Sequence, residues 1–143
     1  AMMWGTEQEQ RSRMAYEAAT GALLEPCGFV KHPTVKWIGA TPDALIDDDG
    51  GFESKSPYNS RYHLETLLAG KIPDEHIAQV QGGMWVTGRK WWDFQSFDPR
   101  LPEPLNRFCV RVERDDAYIT TLEKELLEFA EEVADMVLQL KPE

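Results

Sequence analysis

Apolar residues recur at helical spacing near both ends of the chain and once in its middle, and the segments between carry the β-branched and aromatic clusters of strands. Thr6 to Thr20 predicts a helix: Thr6 with Glu9 three residues on has the form of a capping box, Met14, Ala15 and Ala18 supply an apolar stripe, and Gly21 is a stop signal. Leu23 to Val30 and Val35 to Ile46, separated by Lys31-His32-Pro33, predict two strands joined by a turn. The run Asp47-Asp48-Asp49-Gly50-Gly51 then folds the chain into a hairpin whose second strand ends with Glu53 to Pro57. Tyr58 to Lys71 reads as a loop and a short helix closed by Gly70. Pro73 opens a helix that reaches Thr87, with Ile77, Val80, Met84 and Trp85 at helical spacing and Gly88 at its end. Trp91 to Phe97 and Phe108 to Val112 predict two further strands, joined by a loop that Pro102 and Pro104 mark. Asp115 to Leu140 is a long amphipathic helix with Leu122, Leu126, Phe129, Val133, Met136, Val137 and Leu140 on one stripe. The order α-β-β-β-α-α-β-β-α predicts a single α/β or α+β domain, a mixed central sheet flanked by helices.

Composition narrows the class. With 143 residues, 42% hydrophobic and 28% charged, the chain fits one domain over residues 1–143 with an ordinary core. No apolar run approaches the ~18 residues of a membrane span, and no charged-then-apolar leader opens the sequence, so a cytoplasmic protein is expected. Ala1 ahead of Met2 is read as a residue left by tag cleavage. Cys27 and Cys109 lie far apart, which excludes a zinc ribbon or a four-thiolate cluster on ligand count; both are read as buried free thiols. A formal charge of -10 opposes phosphate binding. Against that, a divalent cation reverses the local sign at an acidic site, and much of the acid is concentrated between Glu123 and Asp135.

Candidate chemistry centres on Pro42-Asp43 and, ten residues after the aspartate, Glu53-Ser54-Lys55. Period-two alternation puts Glu53 and Lys55 on one face of the second hairpin strand, and the turn brings Asp43 near Glu53. Two carboxylates converging beside an ammonium are costly unless compensated, and a divalent cation that takes oxygen ligands compensates them. The register, and hence which carbonyl faces such a cation, stays open at this level. Alone, Pro-Asp is usually a turn, and the Asp47 to Asp49 run lacks the alternating ligands and terminal glutamate of a calcium loop. Glu9 is a further acid that helix capping explains equally well. Of Gln79 and Gln81, about 200° apart on a helix, only one can face the site. Lys31, Lys36, Arg61, Lys71, Arg89 and Lys90 are possible phosphate contacts, with Arg61 favoured; Tyr58, Trp91 and Trp92 are possible base-stacking rings. His32, His63 and His76 read as surface or loop residues.

These residues in this order resemble the phage lambda exonuclease and YqaJ-type viral recombinase family, within the PD-(D/E)xK nuclease superfamily. The resemblance runs from Trp4-Gly5-Thr6 with Glu9, through Thr41-Pro42-Asp43-Ala44-Leu45 and Gly51-Phe52-Glu53-Ser54-Lys55-Ser56-Pro57, to Ser60-Arg61, Ala78-Gln79-Val80-Gln81, Met84-Trp85-Val86-Thr87, Phe97-Asp98-Pro99-Arg100 and Val112-Glu113-Arg114-Asp115. It implies a restriction-endonuclease-like core and a Mg²⁺-dependent exonuclease, with Mn²⁺ substituting. Such an enzyme degrades one strand of linear double-stranded DNA from the 5′ end and leaves a 3′ overhang for a phage annealing protein. By position, Asp43 and Glu53 resemble the metal ligands, the Ser54 backbone carbonyl a further ligand and Lys55 the catalytic lysine, with Glu9 and Gln79 in supporting places. A homotrimeric ring on DNA and a phage or prophage origin in a bacterial host are also implied. Relatives carry a segment before the Trp-Gly motif, with a basic residue that grips the 5′-phosphate, so the expected core is N-terminally shortened. Ala44 stands where relatives often have glycine. A structure-specific or repair endonuclease, or a weakly catalytic interaction module, are the alternatives on the same fold.

Overall fold

The computed structural model describes residues 2–142. Helix α1 spans Met2–Thr20 and ends where Gly21 adopts a left-handed φ of 73°. It begins before the predicted cap: the Thr6 hydroxyl donates to the Met2 carbonyl one turn back, and Glu9 pairs with Arg13. The capping-box reading is therefore wrong, because both side chains already lie within the helix. The predicted stripe is also displaced. Met14 and Ala18 are exposed, and the buried residues are Gln8, Ser12 and Tyr16, spaced four apart. A helix buries the face that meets the sheet, and here that face is largely polar.

The two strands expected between Leu23 and Ile46 shrink to short pieces. Strand β1 (Val30–Lys31) pairs antiparallel with β2 (Gly39–Ala40) in a separate small hairpin, while β3 (Ala44–Ile46) joins the main sheet. Pro26, Gly28 and Pro33 interrupt the ladder, so Glu25 makes only an isolated bridge to Leu45. Four strands therefore precede the second helix rather than three.

Strand β4 (Gly50–Lys55) runs antiparallel to β3 and parallel to β5 (Trp91–Phe97), which pairs antiparallel with β6 (Arg107–Glu113), giving the order β3-β4-β5-β6. The turn between β3 and β4 uses the acidic run, with Asp47 at φ 47°, a conformation aspartate tolerates better than most residues. Gly50 and Gly51 lie opposite Trp91 and Trp92, and a Cβ on either would strike the facing indole.

Parallel pairing of β4 and β5 demands a long crossover. Helix α2 (Ser60–Ala69) supplies its first half, capped by the Asn59 side chain and closed by Gly70. A 3-10 turn (Asp74–His76) after Pro73 leads into α3 (Ile77–Thr87), closed by Gly88. One face of the sheet packs Ala44, Ile46 and Phe52 with Tyr16 of α1; the other packs Trp92 and Phe94 with Val80 and Met84 of α3.

Helix α4 (Asp116–Leu140) starts from an Asp115 cap. Its first turns follow α3, where Leu122 approaches Gly82. Its second half is another matter: every residue from 131 to 140 is exposed, including Met136 and Leu140 of the apolar stripe. No helix among the described residues is long and apolar enough to cross a membrane. The mixed sheet flanked by helices is the fold class expected.

Candidate active site

The site forms where β4 outruns its edge neighbour. Pairing with β3 ends at Ala44 opposite Phe52. The same register carried one step further sets Asp43 opposite Glu53, just past the last ladder pair. There the Ser54 amide donates to Asp43 Oδ2 at 2.8 Å. The amide and carbonyl of one strand residue leave on the same side, so the Ser54 carbonyl is directed to the Asp43 edge, away from β5. This answers the question that register left open in the sequence.

Glu53 is held from two directions. Its Oε1 accepts from Lys55 Nζ at 3.0 Å, two residues along the same strand face, and from Gln79 Nε2 of α3 at 2.9 Å. From the other side, Arg13 of α1 donates to Glu9 Oε1 at 3.1 Å and to the Asp43 carbonyl, tying the helix to the entry of β3. Glu9, Arg13, Asp43, Glu53, Ser54 and Lys55 line one cavity of about 370 Å³.

Burial, and then the charge of Asp43, push the Glu53 carboxyl up to about 7, against the opposing pull of Lys55 and Gln79. Burial likewise holds Asp43 above its usual range, and Glu9 adds to this, while the Ser54 amide, Lys55 and Arg13 work the other way. Burial thus outweighs the positive charge that Lys55 and Arg13 bring to the pair. Among the described residues no three His, Cys, Asp or Glu side chains form a ready-made metal cage. The donors present are carboxylate oxygens of Asp43 and Glu53 with the Ser54 carbonyl, hard ligands that suit an oxygen-seeking cation such as Mg²⁺ retaining several waters.

The remaining expectations divide. Gln79 faces the site, and Gln81 turns away to donate to the Glu113 carbonyl and accept from the Asp115 amide. Arg61 is not brought to the cluster: its side chain is 77% exposed and pairs with Glu65 along α2. Arg89 and Lys90 are occupied at the hairpin turn, Arg89 on the Asp47 carbonyl and Lys90 near Asp49. Trp92 is core, Trp91 lies beneath the Arg111 guanidinium, and Tyr58 meets Trp4 edge to face. Cys27 and Cys109 are free but only half-buried.

Two histidines need correction. His63 is fully buried, with Nδ1 2.7 Å from Ser96 Oγ and Nε2 2.8 Å from the Leu105 carbonyl. His76 stacks on Phe94 at 5.4 Å, because the crossover folds back over β5. Sequence reasoning also missed Arg13, although its spacing of four from Glu9 was the available signal. It missed Gln95, which sits opposite Ser54 in the parallel ladder. Gln95 Nε2 donates to the Ser12 carbonyl and Ser54 Oγ, and its Oε1 accepts from Arg107. No local pattern marks such a residue.

Residues 1–90 match the YqaJ-like viral recombinase domain. The chain belongs to this family. It is 43% identical to the alkaline exonuclease LHK-Exo of Laribacter hongkongensis, with a TM-score of 0.94 over 98% of this chain and 72% of that one. A second structure of that protein, in complex with dAMP, superposes equally well. A phage-related exonuclease of Haemophilus somnus 129PT shares the fold, with a TM-score of 0.80 at 12% identity over 98% of this chain and 73% of that one. ExoD, an uncharacterized protein of Escherichia coli strain K12, is 30% identical over 69 residues, which are 48% of this chain and 78% of that one. Membership, with the high identity to an exonuclease over nearly the whole chain, makes this family member a nuclease.

Proposed function

We propose that the chain is a Mg²⁺-dependent exonuclease that degrades one strand of linear double-stranded DNA from the 5′ end and leaves a 3′ overhang, with Mn²⁺ able to substitute. The observation that carries this is the meeting of Asp43, Glu53 and Lys55 at the open end of β4, beside the outward Ser54 carbonyl. Asp43, Glu53 and that carbonyl would hold the cation. When bound, it supplies Lewis-acid polarisation of the phosphoryl oxygen and a water acidic enough to attack near neutral pH. Lys55 places an ammonium where negative charge grows on the scissile phosphate and helps orient the attacking water. Gln79 fixes the rotamer of Glu53, and Arg13 holds Glu9 against the Asp43 edge.

Polarity and overhang rest on the family resemblance. The dAMP complex of the Laribacter protein supports release of deoxynucleoside monophosphates as the product class here. Arg61, exposed on α2 outside the acidic cluster, is assigned to duplex phosphates farther from the cut. Residues 1–143 act as one nuclease domain in the cytoplasm of a bacterial host, encoded by a phage or prophage, and the overhang passes to an annealing protein. The exposed apolar stripe of α4, with Phe129, Val133 and Met136, supports association with further copies, for which a homotrimer is the expected state.

The test is digestion of linear duplex labelled at one 5′ or one 3′ end, with Mg²⁺ and with EDTA. Metal-dependent release of 5′-labelled mononucleotides from intact ends supports the proposal. Release from the 3′ end reverses the polarity, and cutting of covalently closed circles assigns an endonuclease instead.

A further inference from the structure

Gln95 is fully buried in β5 and lies opposite Ser54 in the parallel ladder, on the sheet face that meets α1. Its amide makes three bonds at once. Nε2 donates to the Ser12 carbonyl of α1 at 2.9 Å and to Ser54 Oγ at 3.2 Å, while Oε1 accepts from Arg107 Nε at 2.7 Å. A guanidinium can only donate, so Arg107 draws the amide oxygen to itself and leaves the nitrogen facing Ser12 and Ser54. Arg107 stands two residues before Cys109, the ladder partner of Gln95, and so shares its face. Arg111 and Arg100 are spent on the acids Asp93 and Asp98, whereas Arg107 has no carboxylate within 4.0 Å among the described residues. Its charge is committed to a neutral amide.

We infer that Gln95 is a positioning residue for the Ser54 carbonyl, the proposed main-chain ligand of the divalent cation, and that Arg107 orients Gln95 for this task. The inference rests on the nuclease reading above and adds the device that aims one ligand. Ser54 sits past the last pair of the β3 ladder, where its amide donates to Asp43 Oδ2 rather than to a neighbouring strand. Its peptide groups therefore face the open edge, and the bond that reaches its side chain from β5 comes from Gln95. Held at its amide on one side and at its hydroxyl on the other, the residue keeps one direction for its carbonyl. The same amide anchors α1 at Ser12, beside Arg13 and one turn from Glu9, and so sets the distance of the helix from β4. Groups that orient a metal ligand from outside act on metal affinity. A buried amide between helix and sheet is ordinarily a strut. That role accounts for the Ser12 bond, but it calls neither for the second bond to Ser54 nor for a cation that fixes which end of the amide faces them.

The test reads the cation rather than the reaction. Mn²⁺ binding to metal-free protein in the absence of DNA is followed by the electron paramagnetic resonance signal of free Mn²⁺, beside the melting temperature of each variant. Gln95→Met keeps the bulk and removes the amide, and is expected to weaken Mn²⁺ binding about tenfold. Ser54→Ala removes the hydroxyl but keeps the carbonyl; it should weaken binding too, with the double variant no worse than Gln95→Met alone, as for two groups on one path. Arg107→Met should lose part of the affinity and Arg107→Lys, which also only donates, should recover it. Asp93→Ala cuts the neighbouring bond from the sheet to Tyr16 of α1, and should lower the melting temperature without moving Mn²⁺ affinity. Wild-type affinity in Gln95→Met, or an equal loss in Asp93→Ala, makes Gln95 a strut and overturns the inference; additive losses in the double variant overturn the path through Ser54. If Gln95→Met does not fold, the Arg107 variants decide, and equal affinity in the two overturns the inference. A wild-type protein that binds Mn²⁺ but shows no metal-dependent cleavage of duplex overturns the parent reading instead, and one that takes up no Mn²⁺ overturns both.

Discussion

Asp93 in β5 and Asp98 just beyond its end, like Glu53 and Asp43 at the open end of β4, are withdrawn from solvent, but only the first two have an arginine each. Arg111 grips both Asp93 oxygens at 2.9 and 3.1 Å, and Tyr16 adds a third bond at 2.6 Å. Arg100 does the same for Asp98 at 2.8 and 3.0 Å, with Ser60 at 2.6 Å. Burial acts against Asp98, yet the bonds from Arg100 and Ser60 outweigh it and hold its carboxyl below the usual range. At β4 two acids share one lysine, and burial, which that single ammonium does not offset, holds both above their usual range. Bidentate pairs are complete in themselves, and so serve the fold. The β4 acids are incomplete, which is the condition expected of groups waiting for a ligand.

The sharpest way to break this contrast is to neutralise each pair. Asp43→Asn or Lys55→Ala should lower nuclease turnover by about 10³-fold or more, the scale of a lost charge-stabilising group, while the melting temperature stays level or rises. Wild-type turnover in either variant removes that residue from the chemistry. Asp93→Ala should do the reverse, destabilising the protein by about 2–4 kcal/mol in urea unfolding because Tyr16 and Arg111 lose their acceptor, with activity per folded molecule within a few-fold of wild type.

Acidity separates the two pairs next. The Glu53 carboxyl sits at about 7 in the folded protein against 4.5 as its ordinary value. Between those values the folded state holds a proton that the unfolded chain has released, so stability is full below the lower value and is lost as pH rises through the upper one. Metal-free protein should therefore be less stable at pH 8 than at pH 5 by on the order of 2–3 kcal/mol. Mg²⁺ should restore the difference and Glu53→Gln should abolish it; a flat urea-midpoint profile in EDTA would contradict the account. Asp98 contributes in the opposite sense, its stabilisation fading only as pH falls through its depressed value.

Smaller effects refine the picture. Gln79→Ala frees one bond on Glu53 and should weaken apparent Mg²⁺ affinity about tenfold, read from the metal dependence of the cleavage rate. Arg61→Ala should change stability by less than about 0.5 kcal/mol, because its pair with Glu65 is solvated. In a salt titration of DNA binding the same change should reduce the slope by about one.

Local rules reach a long way in this chain. Alternation puts Glu53 and Lys55 on one face, the Asp/Gly run places the turn, and glycine stops after α1, α2 and α3 fall where the left-handed residues are. These depend on residues a few positions apart, whose geometry the backbone alone dictates. Where local rules misplace a residue, the deciding partner lies far off in the chain. Tyr16 is buried because Asp93 and Phe52 wait beneath it, and His63 because Ser96 and Leu105 close over it. Likewise Gln95 matters only because the parallel register sets it behind Ser54. The sequence by itself determined the chemistry available, two acids and an amine at hairpin spacing. Tertiary structure decided which carbonyl turns outward, which glutamine and which arginine reach the acids, and which buried acids are already satisfied. Those choices turn on burial and on contacts across the sheet, and neither exists until the strands have paired and the crossover has closed over them.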